Sequence, residues 1–360
     1  MKQTRTYFTA IPNPLRRRIG LTVVGLILSV GAMPVYASAA GLVEVRVGTN
    51  GVVSDAPFFI AQQKGYFAQE GIKVTFVSFN AGPMMIAPLG AGQLDVAAGA
   101  MSAGLFNAAS RGINIKVVAD KGSTPPLYDY MPILVRKSLV DSGKIKSMKD
   151  FKGLKVGEGG KGGSPGSKLN EALKIGGLSY KDVQHEYLGY PQQVTALANG
   201  AIDAAVSTEP SVTQAIEKGI AVRFPHENPY PNQEVAVLLY GGDFIKNKPQ
   251  VAKKFMVAYL KGARFYNGAL KNGRFAGPNA GEVIAILVRD SRVKDPALYK
   301  GMTPNGINPD GKLNLTSLRK DFQFYKDQGY LQGSATVNQV VDESFAHMAV
   351  KELGPYKPIN

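Results

Sequence analysis

The sequence contains no cysteine and no tryptophan, and only three of its 360 residues are histidine. The absence of cysteine excludes disulfides, thiolate metal sites and a lipid-modified N-terminal cysteine. The histidines, His185, His226 and His347, are widely separated and form no pair with the spacing of metal ligands. We therefore expect neither a resident metal nor another cofactor.

The first 39 residues have the composition of an export signal. Five basic residues and no acid occur in them, and an apolar run follows at residues 19–33. This run is shorter than the about 20 residues that span a bilayer, and ASA at residues 37–39 fits the pattern that signal peptidase cleaves. We predict a signal peptide cleaved near Ala39 and a periplasmic protein without a lipid anchor. An uncleaved anchor helix and twin-arginine export are the alternatives.

Basic residues outnumber acidic ones by 42 to 27. Without residues 1–39 the chain keeps 37 basic residues against the same 27 acids, which is a net charge of +10. The lysines between residues 144 and 155 and at 253–254 are not interleaved with aromatic residues at helical spacing. We interpret them as a solvated surface and expect no nucleic-acid partner.

Two segments 108 residues apart follow one pattern, LGAGQLDVAAG at residues 89–99 and LANGAIDAAVS at residues 197–207. In each, a helix is predicted to end at a glycine, Gly92 or Gly200, before a buried apolar strand. Around each segment, four predicted strands alternate with three helices. Such alternation with short connections predicts two similar α/β lobes with parallel sheets.

Two extended apolar segments, at residues 131–137 and 234–241, bracket the second half and predict two crossings between the lobes. The predicted first lobe comprises residues 40–133 and 238–360, and the second comprises residues 134–237. Beyond the second crossing the apolar spacing is helical, which predicts a C-terminal helical tail packed on the first lobe.

A family resemblance is carried by VRVGTNGVVSDAPFFIAQQKGYFAQEGIKVTFVSF at residues 45–79 and by GAGQLDVAAGAMSAGLFNAASRGINIKVVA at residues 90–119. These segments resemble the solute-binding proteins of ABC importers for nitrate, taurine, aliphatic sulfonates and thiamine precursors. The resemblance implies a two-lobed, type II periplasmic-binding-protein-like fold with parallel-dominated mixed sheets, two hinge strands and a ligand in the cleft. The sulfonate branch often has a tryptophan in its site, which this chain lacks.

The stretch KVGEGGKGGSPGSKLNEALK, at residues 155–174, matches three functional motifs. A nucleophile elbow is excluded because Pro165, after Ser164, has no N–H for an oxyanion hole. A dinucleotide fingerprint fits poorly because Ser164 is the expected N-cap, which leaves Gly162 outside the helix. We interpret the stretch as a loop that presents a helix N-terminus and Lys161 to an anion. A capped helix behind a surface loop is the alternative.

Loops at the carboxyl ends of the predicted strands are expected to face the cleft, where open α/β sheets bind ligands. The candidate ligand-binding residues are Ser54, Asp55, Pro57, Phe58, Asn80, Gly82, Gly99, Met101, Ser102, Lys161, Gly163, Ser164, Ser167, Tyr190, Thr208 and Glu209. For Asp55 and Glu209, capping of the following helix is an equally weighted alternative to ligand contact. Tyr128 and Tyr130 either wall the pocket or pack in the core.

From these patterns and the resemblance we expect a monomeric importer component rather than an enzyme. It would capture a small anion, such as a sulfonate, taurine, nitrate or a carboxylate, by closure about the hinge. The resemblance implies ABC permease and ATPase subunits as partners. Thiamine-precursor (pyrimidine) binding, an enzyme on the same fold and a sensing role are the alternatives.

Overall fold

The computed structural model describes residues 41–358, and the predicted signal peptide lies outside them. The strands are β1 (Val43–Thr49), β2 (Ile72–Ser78), β3 (Val96–Gly99), β4 (Ile115–Ser123), β5 (Ile133–Arg136), β6 (Lys155–Glu158), β7 (Gln184–Tyr187), β8 (Ala204–Val206), β9 (Ala221–Arg223), β10 (Glu234–Gly241), β11 (Leu270–Lys271) and β12 (Arg274–Phe275). The helices are α1 (Ala56–Gln63), α2 (Tyr66–Gln69), α3 (Ile86–Gly90), α4 (Ala103–Ser110), α5 (Lys137–Asp141), α6 (Ser164–Ile175), α7 (Tyr190–Ala198), α8 (Ser211–Glu217), α9 (Gly242–Asn247), α10 (Pro249–Asn267), α11 (Ala280–Asp290), α12 (Pro296–Gly301), α13 (Leu315–Asp327), α14 (Val337–Val340) and α15 (Ser344–Leu353). Within residues 41–358, no helix combines the length and the apolar character needed to cross a bilayer.

The first sheet has the strand order β2–β1–β3–β10–β4. Strand β1 pairs in parallel with β2 and β3, whereas β10 runs antiparallel to both β3 and β4. All eight residues of β10 are buried, which accounts for the apolar sequence that follows Glu234 in this strand. The returning strand therefore becomes an interior strand of the first sheet.

The second sheet repeats this arrangement in the order β7–β6–β8–β5–β9. Strand β6 is parallel to β7 and β8, and β5 is antiparallel to β8 and β9. The α/β class, the flanking helices and the mixed sheets are thus confirmed. The prediction of parallel pairing is wrong for β4 and β9, because each pairs with a strand that enters from the other lobe against the local direction. The predicted lobe divisions at 133/134 and 237/238 fall within β5 and β10.

The aspartates of the sequence repeat have the same structural role in both sheets. Asp95 accepts hydrogen bonds from the backbone N–H and Nε of Arg46, at 2.8 and 3.0 Å. Asp203 accepts from the backbone N–H of Lys155 and from Arg136, both at 3.1 Å. The glycine three residues before each aspartate has a positive φ, 70° and 77° respectively, which is costly for other residues. Each repeat therefore ends a helix and ties the next strand to its neighbour.

Much of the C-terminal tail, including α10, packs on the first lobe, whereas α12 and α13 contact α8 and α6 of the second lobe. The ring of Tyr259 on α10 lies 5.0 Å from the ring of Phe58 on α1, between centroids. At Gly262 the two helices approach so closely that a Cβ would lie 2.2 Å from the carbonyl oxygen of Pro57. The amphipathic face of α10 thus completes the core beneath the first sheet.

Candidate functional site

The two lobes meet through loops at the carboxyl ends of their parallel strands. Ser102, after β3, forms an isolated antiparallel bridge with Gly163, after β6. The N–H of Ala103 donates to the carbonyl of Gly162 at 2.8 Å. The N–H of Val53, after β1, donates to the carbonyl of Glu209, after β8, at 3.1 Å. The candidate loops of both lobes are thus brought together across one interface.

A buried ion pair organises the loop after β1. The Nζ of Lys121 on β4 lies 2.8 Å from Oδ1 of Asp55 and donates to Oγ of Ser54 at 2.9 Å. The other oxygen of Asp55 accepts from the backbone N–H groups of Asn50 and Gly51, at 2.9 and 2.8 Å. Ser54 and Asp55 therefore hold the loop in place, and the charge of Asp55 is balanced within the first lobe.

The serines of the glycine-rich stretch already donate to protein acceptors. Helix α6 begins at Ser164 with Gly163 as its N-cap, so the prediction of Ser164 as the N-cap is wrong. Oγ of Ser164 instead donates to the carbonyl of Val235 on β10 at 3.0 Å. Oγ of Ser167 donates to Asp321 on α13 at 2.7 Å. These hydroxyls join the second lobe to the hinge and the tail.

Lys161 lies at the outer edge of the interface. Its ammonium is 5.1 Å from the ring centroid of Tyr330 in the tail, a cation–π geometry. The two residues line a cavity of about 290 Å³ together with Ala103 and Asn107 of α4. Lys161 is therefore placed at the rim, with the tail as its neighbour.

The carboxylate of Glu209 is occupied by its own lobe and the tail. It accepts from Arg223 at 2.9 Å and from the backbone N–H of Thr213 in α8 at 2.9 Å. Burial raises the pKa of Glu209 above its usual value, and the charge of Arg223 offsets only part of this rise. The adjacent hydroxyl oxygens of Ser207 and Thr208 are buried without a hydrogen-bond partner among the described residues. The hydroxyls, rather than the acid, are left available on this loop.

Several other candidate residues are buried by contacts within the protein. Pro57, Phe58, Gly82, Gly99, Met101 and Ser167 are buried against the tail or the ends of the first sheet. Tyr130 is also buried, beside Gly122 of β4, and its hydroxyl is 3.5 Å from the carbonyl of that glycine. These residues shape the walls behind the loops.

A cavity of about 220 Å³ lies between the lobes, and it includes part of the tail. Its lining residues are Asn50, Gly51, Val52, Tyr190, Pro191, Pro210, Ser211, Gln214, Arg292 and Val293. The lining therefore contains one cation, Arg292, and no carboxylate of the described residues. The first residues of α7 and α8 also face it, and helix N-termini favour negative charge.

Arg292 is held by uncharged groups of the first lobe. Its guanidinium donates to Oγ of Ser78 at 2.5 Å, to the carbonyl of Phe79 at 3.2 Å and to Oδ1 of Asn80 at 3.3 Å. None of these contacts cancels its charge. The loop after β2, which contains the candidate Asn80, thus positions a cation at the cavity.

Two more polar groups face this region. The side-chain oxygen of Asn50 is buried without a partner among residues 41–358. Burial and the nearby charge of Asp55 raise the pKa of Tyr190, so its hydroxyl keeps its proton at neutral pH and is able to donate. Of these groups, the sequence predicts Tyr190 but not Asn50 or Arg292. Arg292 lies more than 200 residues from the loops it contacts, and no local pattern marks it.

Comparisons with known proteins agree with this architecture. The NMT1/THI5-like family matches residues 53–268. A Bacillus subtilis protein named for binding aliphatic sulfonates is 26% identical over 338 residues, which cover 92% of this chain and 96% of that protein. An Escherichia coli protein of the same description is 31% identical over 147 residues, or 41% of this chain.

Relatives with other descriptions are also similar. A 4-amino-5-hydroxymethyl-2-methylpyrimidine phosphate synthase of Uromyces fabae is 31% identical over 156 residues, or 42% of this chain. The chain spans only 43% and 42% of the lengths of the E. coli and U. fabae proteins. The periplasmic nitrate-binding protein NrtA from Synechocystis PCC 6803 has the same fold, with a TM-score of 0.70, 15% identity and coverage of 87% of this chain and 89% of that one.

Proposed function

Because the chain belongs to the NMT1/THI5-like family and folds as two lobes that meet at their ligand-facing loops, we propose that it is the solute-binding component of an ABC importer. In this role it captures a small anion between the lobes and presents the closed form to permease and ATPase subunits. The mature protein acts as a monomer in the periplasm.

The observation that carries the anion proposal is the charge of the cavity between the lobes. Arg292 lines it, the described residues place no carboxylate in the lining, and the first residues of α7 face it. Arg292 is exposed and forms no ion pair among the described residues, and an unpaired guanidinium favours a carboxylate, sulfonate or nitrate group. A volume of about 220 Å³ corresponds to roughly seven water molecules in the liquid, which fits a ligand of taurine or nitrate size.

The remaining ligand contacts come from both lobes. Asn50 and Tyr190 line the cavity from the first and the second lobe, and we assign the unpartnered hydroxyls of Ser207 and Thr208, on the loop after β8, to the same site. Because these groups lie on opposite sides of the cleft, a ligand that contacts both sides stabilises the closed form. A micromolar dissociation constant corresponds to about −8 kcal/mol, which several charge-assisted hydrogen bonds can supply.

The residues predicted from the sequence have different roles in this proposal. Ser54 and Asp55 position the loop that carries Asn50, and Ser102 and Gly163 close the interface beside the ligand. No covalent step is needed. The partial similarity to pyrimidine phosphate synthases makes a pyrimidine the natural competing ligand.

The test is a thermal-shift panel on the chain from residue 41, with sodium nitrate, taurine, methanesulfonate and 4-amino-5-hydroxymethyl-2-methylpyrimidine. A ligand at 100 times its dissociation constant stabilises the folded state by about 2.7 kcal/mol. We expect at least one anion to raise the melting temperature. Stabilisation by the pyrimidine, with no response to any anion, would overturn the anion proposal.

A further inference from the structure

Two carboxyl groups lie side by side near the ends of β4 and β10 that connect to the second lobe. Asp120 is on β4 and Glu234 is on β10, which are hydrogen-bonded neighbours. The two side chains are 2% and 1% exposed, and their carboxyl groups are within hydrogen-bonding reach of each other. One oxygen of each carboxyl group is buried without a hydrogen-bond donor among the described residues. These oxygens are Oδ1 of Asp120 and Oε1 of Glu234.

The other oxygen of each carboxyl group is fixed by the C-terminal tail. Oδ2 of Asp120 accepts from the backbone N–H of Asn308 at 2.5 Å. Oε2 of Glu234 accepts from the backbone N–H of Asn314 at 2.7 Å. The two acids therefore join β4, β10 and the tail segment before α13, and neither can turn away without losing a hydrogen bond.

Charged and titratable groups approach the pair from five directions: Lys121 on β4, Tyr130 before β5, Tyr259 on α10, Asp321 on α13, and Lys312 and Glu343 on the wall of an adjoining cavity of about 470 Å³. Among residues 41–358, no lysine or arginine forms an ion pair with either acid of the pair. The ammonium of Lys121 is bonded to Asp55 and Ser54 on the cleft side. Two ionised carboxylates in contact at this depth would repel strongly.

We propose that Asp120 and Glu234 share one proton, and that this proton holds β4 and the hinge strand β10 together at neutral pH, so that its loss as pH rises loosens them. The shared proton supplies the missing partner to both unpaired oxygens at once. It does not depend on which ligand the cleft binds.

The titration of the pair agrees with this geometry. Burial, strengthened by the charge of Asp120, raises the pKa of Glu234 well above its usual range. Burial raises the pKa of Asp120 to about 6. Because both folded pKa values exceed the unfolded ones, the folded state binds more protons, and its stability falls as pH rises until the pair has lost its proton.

The carboxyl pair adjoins hydrogen bonds that join the two lobes. Gln233, before Glu234, donates from Nε2 to the carbonyl of Ser164 at 2.9 Å. Val235, after Glu234, accepts from Oγ of Ser164 at 3.0 Å. Repulsion between the ionised acids would displace the start of β10 and with it the N-terminus of α6 in the second lobe. Loss of the proton should therefore favour opening of the cleft.

The decisive experiment is denaturant unfolding of the ligand-free chain between pH 6 and 9.5, for wild type, Glu234→Gln and Asp120→Asn. In either variant, the new side-chain amide can donate a hydrogen bond to the remaining carboxylate. This hydrogen bond does not depend on a proton that is lost as pH rises. The unfolding equilibrium constant of wild type should rise by up to about tenfold per pH unit more than that of either variant until the proton is lost. Glu343→Gln, on the same cavity wall, should follow the wild-type profile.

Parallel pH profiles for wild type and the two amide variants would overturn the proposal. So would a rise of several degrees in wild-type melting temperature with millimolar Ca²⁺ at pH 7 that is absent in Glu234→Gln, because a cation rather than a proton would then neutralise the pair. Among the described residues no group of three His, Cys, Asp or Glu side chains could hold a metal ion, so we expect no such rise. Having two amide variants keeps the test valid if one of them fails to fold.

Discussion

Lys121 and Asp55 form an ion pair of 2.8 Å whose side chains are 1% and 0% exposed. The pair joins β4 to the loop after β1, which carries Asn50 to the cavity between the lobes. It also means that the buried lysine beside the cleft is not the cation left free for a ligand. In the proposed site, the positive charge offered to an anion comes instead from the tail, at Arg292.

Removing the carboxylate from this pair should destabilise the protein strongly. In Asp55→Asn the ammonium of Lys121 stays buried without its counter-charge, and we expect a loss of about 3–5 kcal/mol in the free energy of unfolding. Glu282→Gln is the matched control, because its pair with Lys64 is largely exposed and worth about 1 kcal/mol or less. Similar losses in the two variants by denaturant unfolding would contradict a buried ion pair.

Arg292 should control affinity for anions without controlling folding. Arg292→Gln removes the one charged group of the cavity lining, and we expect at least a tenfold weaker dissociation constant for an anionic ligand in calorimetric titration, as for a lost charge-assisted hydrogen bond. Arg292→Lys should lose less. Arg289→Gln, on the exposed side of α11, should bind as wild type does. Equal affinity of Arg292→Gln and wild type would remove Arg292 from the site.

Packing of the tail on the first lobe can be tested at one glycine. In Gly262→Ala the new Cβ would lie 2.2 Å from the carbonyl oxygen of Pro57, so α10 must shift away from α1. We expect a loss of about 1–3 kcal/mol in unfolding free energy. Gly281→Ala on α11, where a Cβ would meet nothing within 4 Å, should be neutral or slightly stabilising. Equal stability of the two variants would contradict the close approach.

The repeat aspartate of the first lobe should contribute to acid sensitivity. Burial alone would raise the pKa of Asp95, but hydrogen bonds from Arg46 outweigh burial and lower it. Its stabilising contribution is therefore present above the usual carboxyl pKa and is lost as pH falls through the folded value. The difference in unfolding free energy between wild type and Asp95→Asn should shrink from pH 6 to pH 2.5. A difference that stays constant over this range would be inconsistent with a lowered pKa.

Local patterns were sufficient to predict most of the fold. Apolar runs, helix-ending glycines and the repeat of Asp95 and Asp203 place each lobe's strands and helices, because these signals act within a few residues. The insertion of β10 was not predicted, since strand order depends on pairing between distant segments. The helical segment after β1 is divided into α1 and α2, since Gly65 between them has a φ of +70°.

The site was predicted less well, because its polar groups meet only in the folded chain. A signal for Lys121 was present, since Asp120 and Lys121 directly follow the apolar run VVA in the strand IKVVADKGS. Charged residues in a buried strand need partners, and both have proved to lie at important contacts. Arg292 carries no such signal, because it lies in a polar segment between α11 and α12.

The central claim is that an anion binds between the lobes beneath Arg292. The most direct test is a crystal structure of the chain from residue 41 with whichever anion of the panel stabilises it. The account predicts that the anionic group lies within hydrogen-bonding distance, about 3 Å, of the Arg292 guanidinium and also contacts groups of the second lobe. An anion bound elsewhere, with the cavity at Arg292 filled only by water, would contradict it.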